Sequence, residues 1–355
     1  VVYQSHGYAL LSTGLQPAAL YDELSLLLPT SGSTGSPKLV RHSYRNIEAN
    51  ARNVAQLFQL TGAERPMAAL PMHYTMGLSV IASHLYAGCT IYLSDRSLAD
   101  KEFWATMKDE RITSFTGVPF SFEILQKLRF FRMDLPDLEV ITQGGGKLNS
   151  ELFDQCCEYA KSKGKKFIPT YGQTEGTARM AFLEPEMAAK KQGSIGKAEP
   201  NGQLSIIDND GNETFEGDAT GEMVYRGENV TLGYAVCGED LIKGDENHGV
   251  LHTGDIAHRD ADGYYFIVGR MKRFLKIFGL RIGLDEVEYL IKSNFSTDCV
   301  CAGSDDLLKV MITTEPLIDQ VRDFVIEKTH LFHKNLEVTY IEEIKRNEAG
   351  KVILH

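Results

Sequence analysis

Nine consecutive residues, Thr30-Ser31-Gly32-Ser33-Thr34-Gly35-Ser36-Pro37-Lys38, bring five hydroxyls, two glycines and a lysine into one short loop. The glycines permit a tight turn and let backbone approach a ligand with no Cβ in the way. Hydroxyls and peptide N–H groups can then converge on one centre, with a cation close behind. Such a donor set suits a polyphosphate, whose oxygens accept many hydrogen bonds and whose charge must be offset. The loop is not a Walker A sequence, because it lacks a glycine separated by four residues from Gly-Lys-Ser/Thr. A Ser/Gly-rich linker has a similar composition. The apolar run before the loop and the helical pattern after it favour a phosphate cradle.

Further chemistry-bearing residues recur where strands are expected to end. Gly144-Gly145-Gly146 follows the apolar run 138–142, and bare backbone at the C-terminal edge of a sheet can lie against a flat ring. Tyr171-Gly172-Gln173-Thr174-Glu175-Gly176-Thr177 offers an aromatic face, a hydroxyl and a carboxylate. A purine can stack on Tyr171, Thr174 can bond a phosphate oxygen, and Glu175 can hold Mg²⁺. In isolation the same peptide also reads as a polar surface turn. His252-Thr253-Gly254-Asp255 puts one carboxylate at a strand end, placed to accept both hydroxyls of a ribose. Arg270, in Gly269-Arg270-Met271-Lys272, can reach ribose or phosphate. The segment from Gly221 to Gly227, continuing to Gly233-Tyr234, is read as structural. Gly350-Lys351 lies five residues from the end of the sequence. A lysine there is ordinarily a solvated charge, but the glycine leaves it free to swing into another domain's cleft.

The elements that must position these residues change in texture along the chain. Residues 24–28 read as a buried strand and 43–60 as an amphipathic helix, with Ile47, Ala51, Val54 and Phe58 on its apolar face. Strands are expected at 67–70, 90–93, 114–116, 139–142 and 166–169. Helices are expected around 98–110, 120–130 and 150–163, the last stopped by Gly164. This alternation predicts a largely parallel sheet covered by helices. From 193 to 270, short β-rich runs broken by Asp-Asn-Asp-Gly and Asp-Ala-Asp-Gly predict an antiparallel sheet or small barrel. A helix near 284–293, strands near 299–303 and 308–314, a helix near 317–330 and a strand near 337–341 predict a small α+β unit. The expected domains are 1–190, 191–271 and 272–355.

Composition excludes several classes. At 355 residues and 43% hydrophobic, the chain can fill two or three cores. The net charge of −11 carries no massed lysine or arginine, which argues against a nucleic-acid partner. Six cysteines with no Cys-x-x-Cys spacing predict reduced thiols and a cytoplasmic protein. No apolar run is long enough to span a bilayer, and no signal peptide is visible. The first residue is valine, as in a fragment or a processed chain.

Taken together and in order, TSGSTGSPK, PMHYTMG (71–77), GGG, YGQTEGT, GEMVYRG, HTGD, GRMKRFLKIFGLRI (269–282) and RNEAGK (346–351) resemble the adenylate-forming (AMP-binding) superfamily. That group contains acyl- and aryl-CoA synthetases, adenylation domains that load carrier proteins, and luciferases. The resemblance runs from about residue 24 to the end, and its strength lies in the order of the motifs. It implies an α/β fold, with a large N-terminal domain (helix-covered sheet plus small β-barrel-like subdomain) and a small mobile α+β C-terminal domain. It also implies a two-step ligase. A carboxylate attacks the α-phosphate of ATP, giving an acyl-adenylate and pyrophosphate. A thiol of CoA, or of a carrier protein's phosphopantetheine, then displaces AMP.

By motif, Thr30, Ser31, Ser33, Thr34 and Lys38 would hold the β- and γ-phosphates. Gly144, Gly145, Gly146, Tyr171 and Gly172 would enclose adenine, with Thr174 near the α-phosphate and Glu175 on Mg²⁺. Asp255 and Arg270 would bind ribose. Lys351 would bridge the carboxylate and the α-phosphate, Lys272 would be the hinge, and Gly279 would leave room for the pantetheine arm. His73 matches a gate beside the acyl pocket. A homodimer stays open.

The chain departs from the family pattern in three places. The phosphate loop begins at residue 30, so either the chain is compact or an N-terminal subdomain is missing. No proline precedes the Lys351 loop, and Gly283 stands where an acidic residue is usual. Three functions compete: an AMP-forming acid–CoA ligase, which leads, an enzyme that loads a carrier protein, and a non-catalytic binding module for a nucleotide or acyl-adenylate. Retention of Lys38, Glu175, Asp255, Arg270 and Lys351 argues against the third.

Overall fold

A computed structural model of the chain describes residues 2–5, 8–12, 18–29, 38–271, 274–277, 280–304, 307–346 and 352. Five short strands, Tyr92–Leu93, Pro66–Ala68, Ser114–Gly117, Val140–Gln143 and Lys166–Tyr171, lie parallel and side by side. Ala181–Phe182 and Lys197–Ala198 extend the sheet antiparallel. Strands covered on both faces read as apolar runs rather than alternating patterns, which is why they were visible in the sequence. The covering helices include Lys101–Asp109, Pro119–Lys127 and Ser150–Lys163. Pro119 opens its helix where a missing N–H is harmless, and Gly164 closes the third in the left-handed region. Phe103 and Phe115, Phe122 and Phe167, and Phe153 and Phe167 meet edge-on in the core between sheet and helices.

A second, antiparallel sheet joins Tyr234–Ala235, Leu39–Ser43 and Leu24–Pro29, so strand pairing crosses residue 190. Pro29 pairs with Leu39, and the hydroxyl-rich loop is the connection between them. The strand Leu39–Ser43, which periodicity did not reveal, runs directly into the helix Tyr44–Phe58. Ser43 caps that helix by accepting from the Asn46 N–H, while the Asn46 side chain accepts from the Ser43 N–H. Ala51 and Val54 are buried as expected, but so are Asn46, Asn50 and Asn53. Spaced at i, i+4 and i+7, these asparagines share the inward face of the helix. They reach the Glu228 and Val230 carbonyls, the Arg179 carbonyl and the Glu199 carboxyl.

The helix Thr75–Tyr86 was not anticipated. Its sequence, TMGLSVIASHLY, is apolar on nearly every side, so it shows no one-sided stripe. It packs against Tyr44–Phe58. The β-rich region is a five-stranded antiparallel sheet in the order Glu213–Thr214, Gln203–Ile207, Ala219–Arg226, Val250–Arg259, Tyr265–Arg270. Beyond it, the helices Leu284–Asn294 and Ile318–Thr329 pack on the strands Cys299–Ser304, Leu307–Ile312 and Leu336–Tyr340. Ile291, Cys301, Val310, Val321 and Val338 belong to a core distinct from that of the large sheet. Among the described residues, no helix is long and apolar enough to cross a membrane.

Candidate active site

The parallel strands end along one edge, and the glycine triplet lies there directly after Gln143. The buried Gln143 side chain turns back to donate to the carbonyls of Gly144 (3.1 Å) and Gly146 (2.8 Å), fixing the loop from within. A Cβ on Gly144 would fall 2.5 Å from Met76 Cε and 2.7 Å from Thr170 Oγ1. Gly145 has φ +79°, and a Cβ there would fall 2.5 Å from the Tyr74 hydroxyl. The backbone is therefore bare by steric necessity, and a flat ring can approach it.

The strand Lys166–Tyr171 feeds the second motif. Gly172 passes so close to Ala178 that a Cβ would lie 1.4 Å from its carbonyl oxygen. The chain turns through Thr174–Gly176, then places Thr177 and Ala178 at φ 52° and 80°. Two successive non-glycine residues in the left-handed region need support from outside. Asn229 supplies it. Its amide donates to the carbonyls of Gly176 (2.9 Å) and Arg179 (3.2 Å), and its own carbonyl accepts from the Thr177 hydroxyl at 2.6 Å. Thr174 is held from the other side, accepting from the Thr75 hydroxyl at 3.1 Å.

Asp255 ties this turn to the antiparallel sheet. Its Oδ2 accepts from the Tyr171 hydroxyl at 2.5 Å and the Gln173 amide at 3.0 Å, and its Oδ1 lies 3.1 Å from Arg270 Nε. Asp255 and Arg270 are direct cross-strand partners. The aspartate side chain is 4% exposed and the arginine 61%, so Arg270 is an open arm on a fixed anchor. Burial, reinforced by the Asp255 charge, pushes the Tyr171 phenol well above its ordinary range and keeps it a hydrogen-bond donor.

Glu175 meets a residue that sequence reasoning had left to structure. Tyr234 donates to its Oε1 at 2.8 Å, and the Tyr234 ring centroid lies 5.2 Å from Lys38 Nζ. Burial and the Glu175 charge push the Tyr234 phenol upward. Arg41, fully buried, holds Tyr234 in place: Nε donates to the Tyr234 carbonyl (3.0 Å), Nη2 to the Leu232 carbonyl (3.0 Å) and Glu246 (2.5 Å), and Nη1 to the Gly244 carbonyl (3.2 Å).

Thr174, Glu175, Tyr171, Gly172, Asp255, Arg270, Lys38 and Gly144–Gly146 thus lie in one linked set of contacts, although Asp255 stands within the strand Val250–Arg259 and not at a strand end as expected, because pairing with both neighbouring strands continues beyond it. His73 is exposed on the segment leading into Thr75–Tyr86. Thr30, Ser31, Ser33, Thr34, Lys272, Gly279 and Lys351 lie outside the described residues. Sequence reasoning missed Thr75, Gln173, Tyr234 and Asn229. Of these, Thr75 and Gln173 sat inside motifs already singled out, PMHYTMG and YGQTEGT, and Tyr234 directly followed a glycine of another.

The family model described as AMP-binding enzyme matches residues 9–235. An indoleacetate–CoA ligase of Aromatoleum aromaticum is 33% identical over 342 residues, covering 92% of this chain and 65% of that protein. A luciferin 4-monooxygenase of Luciola mingrelica is 27% identical over 349 residues, covering 93% and 62% respectively. The chain therefore spans less than two thirds of the length of either relative. A solved structure of o-succinylbenzoate CoA synthetase from Bacillus subtilis, in complex with the acyl-adenylate intermediate OSB-AMP, has TM-score 0.76 at 24% identity. It covers 92% of this chain and 67% of that one, and shows that the fold is shared.

Proposed function

The chain belongs to the AMP-binding enzyme family, and on that footing we propose that it activates a carboxylic acid with ATP and passes the acyl group to CoA. The observation that carries this reading is the junction at Asp255. One carboxylate joins the tyrosine of the turn bearing Thr174 and Glu175 to Arg270 on the neighbouring sheet.

In the first step an oxygen of the acid attacks the α-phosphorus, the bond to pyrophosphate breaks, and an acyl-adenylate remains. Adenine would lie between Gly144–Gly146 and Tyr171, and the ribose would meet Asp255 and Arg270. Thr174, steadied by Thr75, would donate to the α-phosphate. The half-buried Glu175 carboxylate, oriented by Tyr234, fits Mg²⁺ carried in by the nucleotide. That ion retains phosphate and water ligands and needs few from protein. Lys38 and the residues at 30, 31, 33 and 34 would offset the leaving pyrophosphate, and Lys351 would bridge the two reacting groups. Because charge builds up in line at phosphorus, positioning and electrostatics supply most of the rate.

In the second step the CoA sulfur attacks the acyl carbon and AMP leaves. Lys272 would be the hinge between the two arrangements, and Gly279 would clear the path of the pantetheine arm. Acid- and Mg²⁺-dependent exchange of labelled pyrophosphate into ATP is the test. CoA and a phosphopantetheinylated carrier protein, offered separately, would identify the acceptor. Folded protein that binds ATP but shows no exchange with any acid in a broad panel would overturn the reading.

A further inference from the structure

Arg179 is 2% exposed, yet among the described residues it forms no ion pair. Its Nη1 donates to Ser79 Oγ at 3.1 Å and its Nη2 reaches Thr116 Oγ1 at 3.5 Å, the outer limit of a hydrogen bond. Its Nε is buried with no acceptor. Enclosing a guanidinium with so few acceptors is costly. The Phe58 ring, 5.4 Å away, offsets part of that cost. Glu199 acts on Arg179 electrostatically, but its Oε1 accepts from Asn53, Tyr225 and Asn229 instead. Burial pushes the Glu199 carboxyl up to about 8, so at neutral pH it is mostly protonated and offsets little of the charge.

The surroundings of this cation belong to the reaction site. Ser79 stands one turn after Thr75, the residue that holds Thr174. Thr116 lies at the end of a strand next to the one carrying the glycine triplet, and shares a 2.7 Å hydrogen bond with Thr142. The Tyr74 hydroxyl lies beside Gly145 and is within electrostatic reach of Arg179. The guanidinium is therefore linked to Thr174, beside which the acid and the α-phosphate would meet, through Ser79 and Thr75, which stand one helical turn apart.

We propose that Arg179, with Ser79 and Thr116, receives a second carboxylate on the acid, so that the substrate is a short dicarboxylic acid. This assignment rests on the ligase reading above. It explains why a cation is enclosed without a partner of its own: the partner arrives with the substrate. Selection would then come from both sides, since a monocarboxylic acid of the same length leaves the guanidinium unpaired beside a methyl group.

Pyrophosphate exchange should be measured with matched pairs: malonate and propionate, succinate and butyrate, glutarate and valerate. For at least one pair, kcat/KM should favour the diacid by about 10²-fold or more. Arg179→Met should bring that ratio close to one, and Arg179→Lys should keep an intermediate ratio. Should Arg179→Met fail to fold, the ratios of the unmodified protein and of Arg179→Lys still decide the matter. Monocarboxylic acids used as well as their diacid partners would overturn the diacid assignment and leave the ligase reading intact. Loss of exchange with every acid, despite ATP binding, would overturn both.

Discussion

Tyr234 donates its phenolic proton to Glu175 at 2.8 Å and presents its ring to Lys38 at 5.2 Å, joining three segments far apart in sequence. The carboxylate proposed to hold the metal and the lysine proposed to face the phosphates are thereby organised around one aromatic side chain. Neither a hydroxyl-rich loop nor a short acidic turn could fix that geometry alone.

Tyr234→Phe keeps the ring and removes the donor. Pyrophosphate exchange should fall by about tenfold, the scale of a hydrogen bond to a charged group. The Mg²⁺ concentration for half-maximal rate should rise, because Glu175 loses the group that orients it. Titrating Mg²⁺ against exchange in both proteins checks this. An unaltered Mg²⁺ requirement would mean that Tyr234 only fills space.

Lys351→Ala should separate the two half-reactions. Removing a charge that acts in the adenylation transition state should lower exchange by roughly 10²–10³. Thioester formation from a pre-formed acyl-adenylate should be retained, since the proposed role of this lysine is in the first arrangement alone. Equal losses in both steps would instead indicate a general effect on the small domain.

Stability should be greatest near pH 6.5 as far as three buried groups determine it. Burial pushes His42 and His84 down to about 4 from an ordinary 6.5. Between those values the unfolded chain binds more protons, so stability present above pH 6.5 is lost as pH falls toward 4. Glu199 acts in the opposite direction. Its contribution is fully present below its ordinary 4.5 and is lost as pH rises through about 8. Each term is on the order of 3–5 kcal/mol. Thermal melts at pH 5, 6.5 and 8 should show His84→Gln flattening the acid limb and Glu199→Gln flattening the alkaline one. A Glu199→Gln melt with the same change between pH 6.5 and 8 would contradict the buried-carboxyl account.

What could be read from the sequence was whatever demanded unusual residues locally. Gly144, Gly145 and Gly172 announce themselves because no other residue fits where they stand. The parallel strands announce themselves as apolar runs. What stayed hidden depends on partners distant in sequence. The asparagine face of Tyr44–Phe58 has no mark in a hydrophobic pattern, because its burial depends on partners at 179, 199, 228 and 230. Thr75–Tyr86 lacked a polar side to mark it as a helix. Tyr234 and Arg179 looked ordinary because what sets them apart is their neighbours.

Arg41 stands two residues beyond Leu39, which pairs with Pro29 across the hydroxyl-rich segment, and its guanidinium grips the chain from Leu232 to Glu246. The two segments therefore cannot drift apart independently over evolutionary time. A lineage that loses this arginine must rebuild the course of the later segment, and one that reshapes the later segment must release the arginine. Substitutions at 41 and across 232–246 should consequently accumulate as a correlated set, inherited as one unit even though nearly two hundred residues separate their codons.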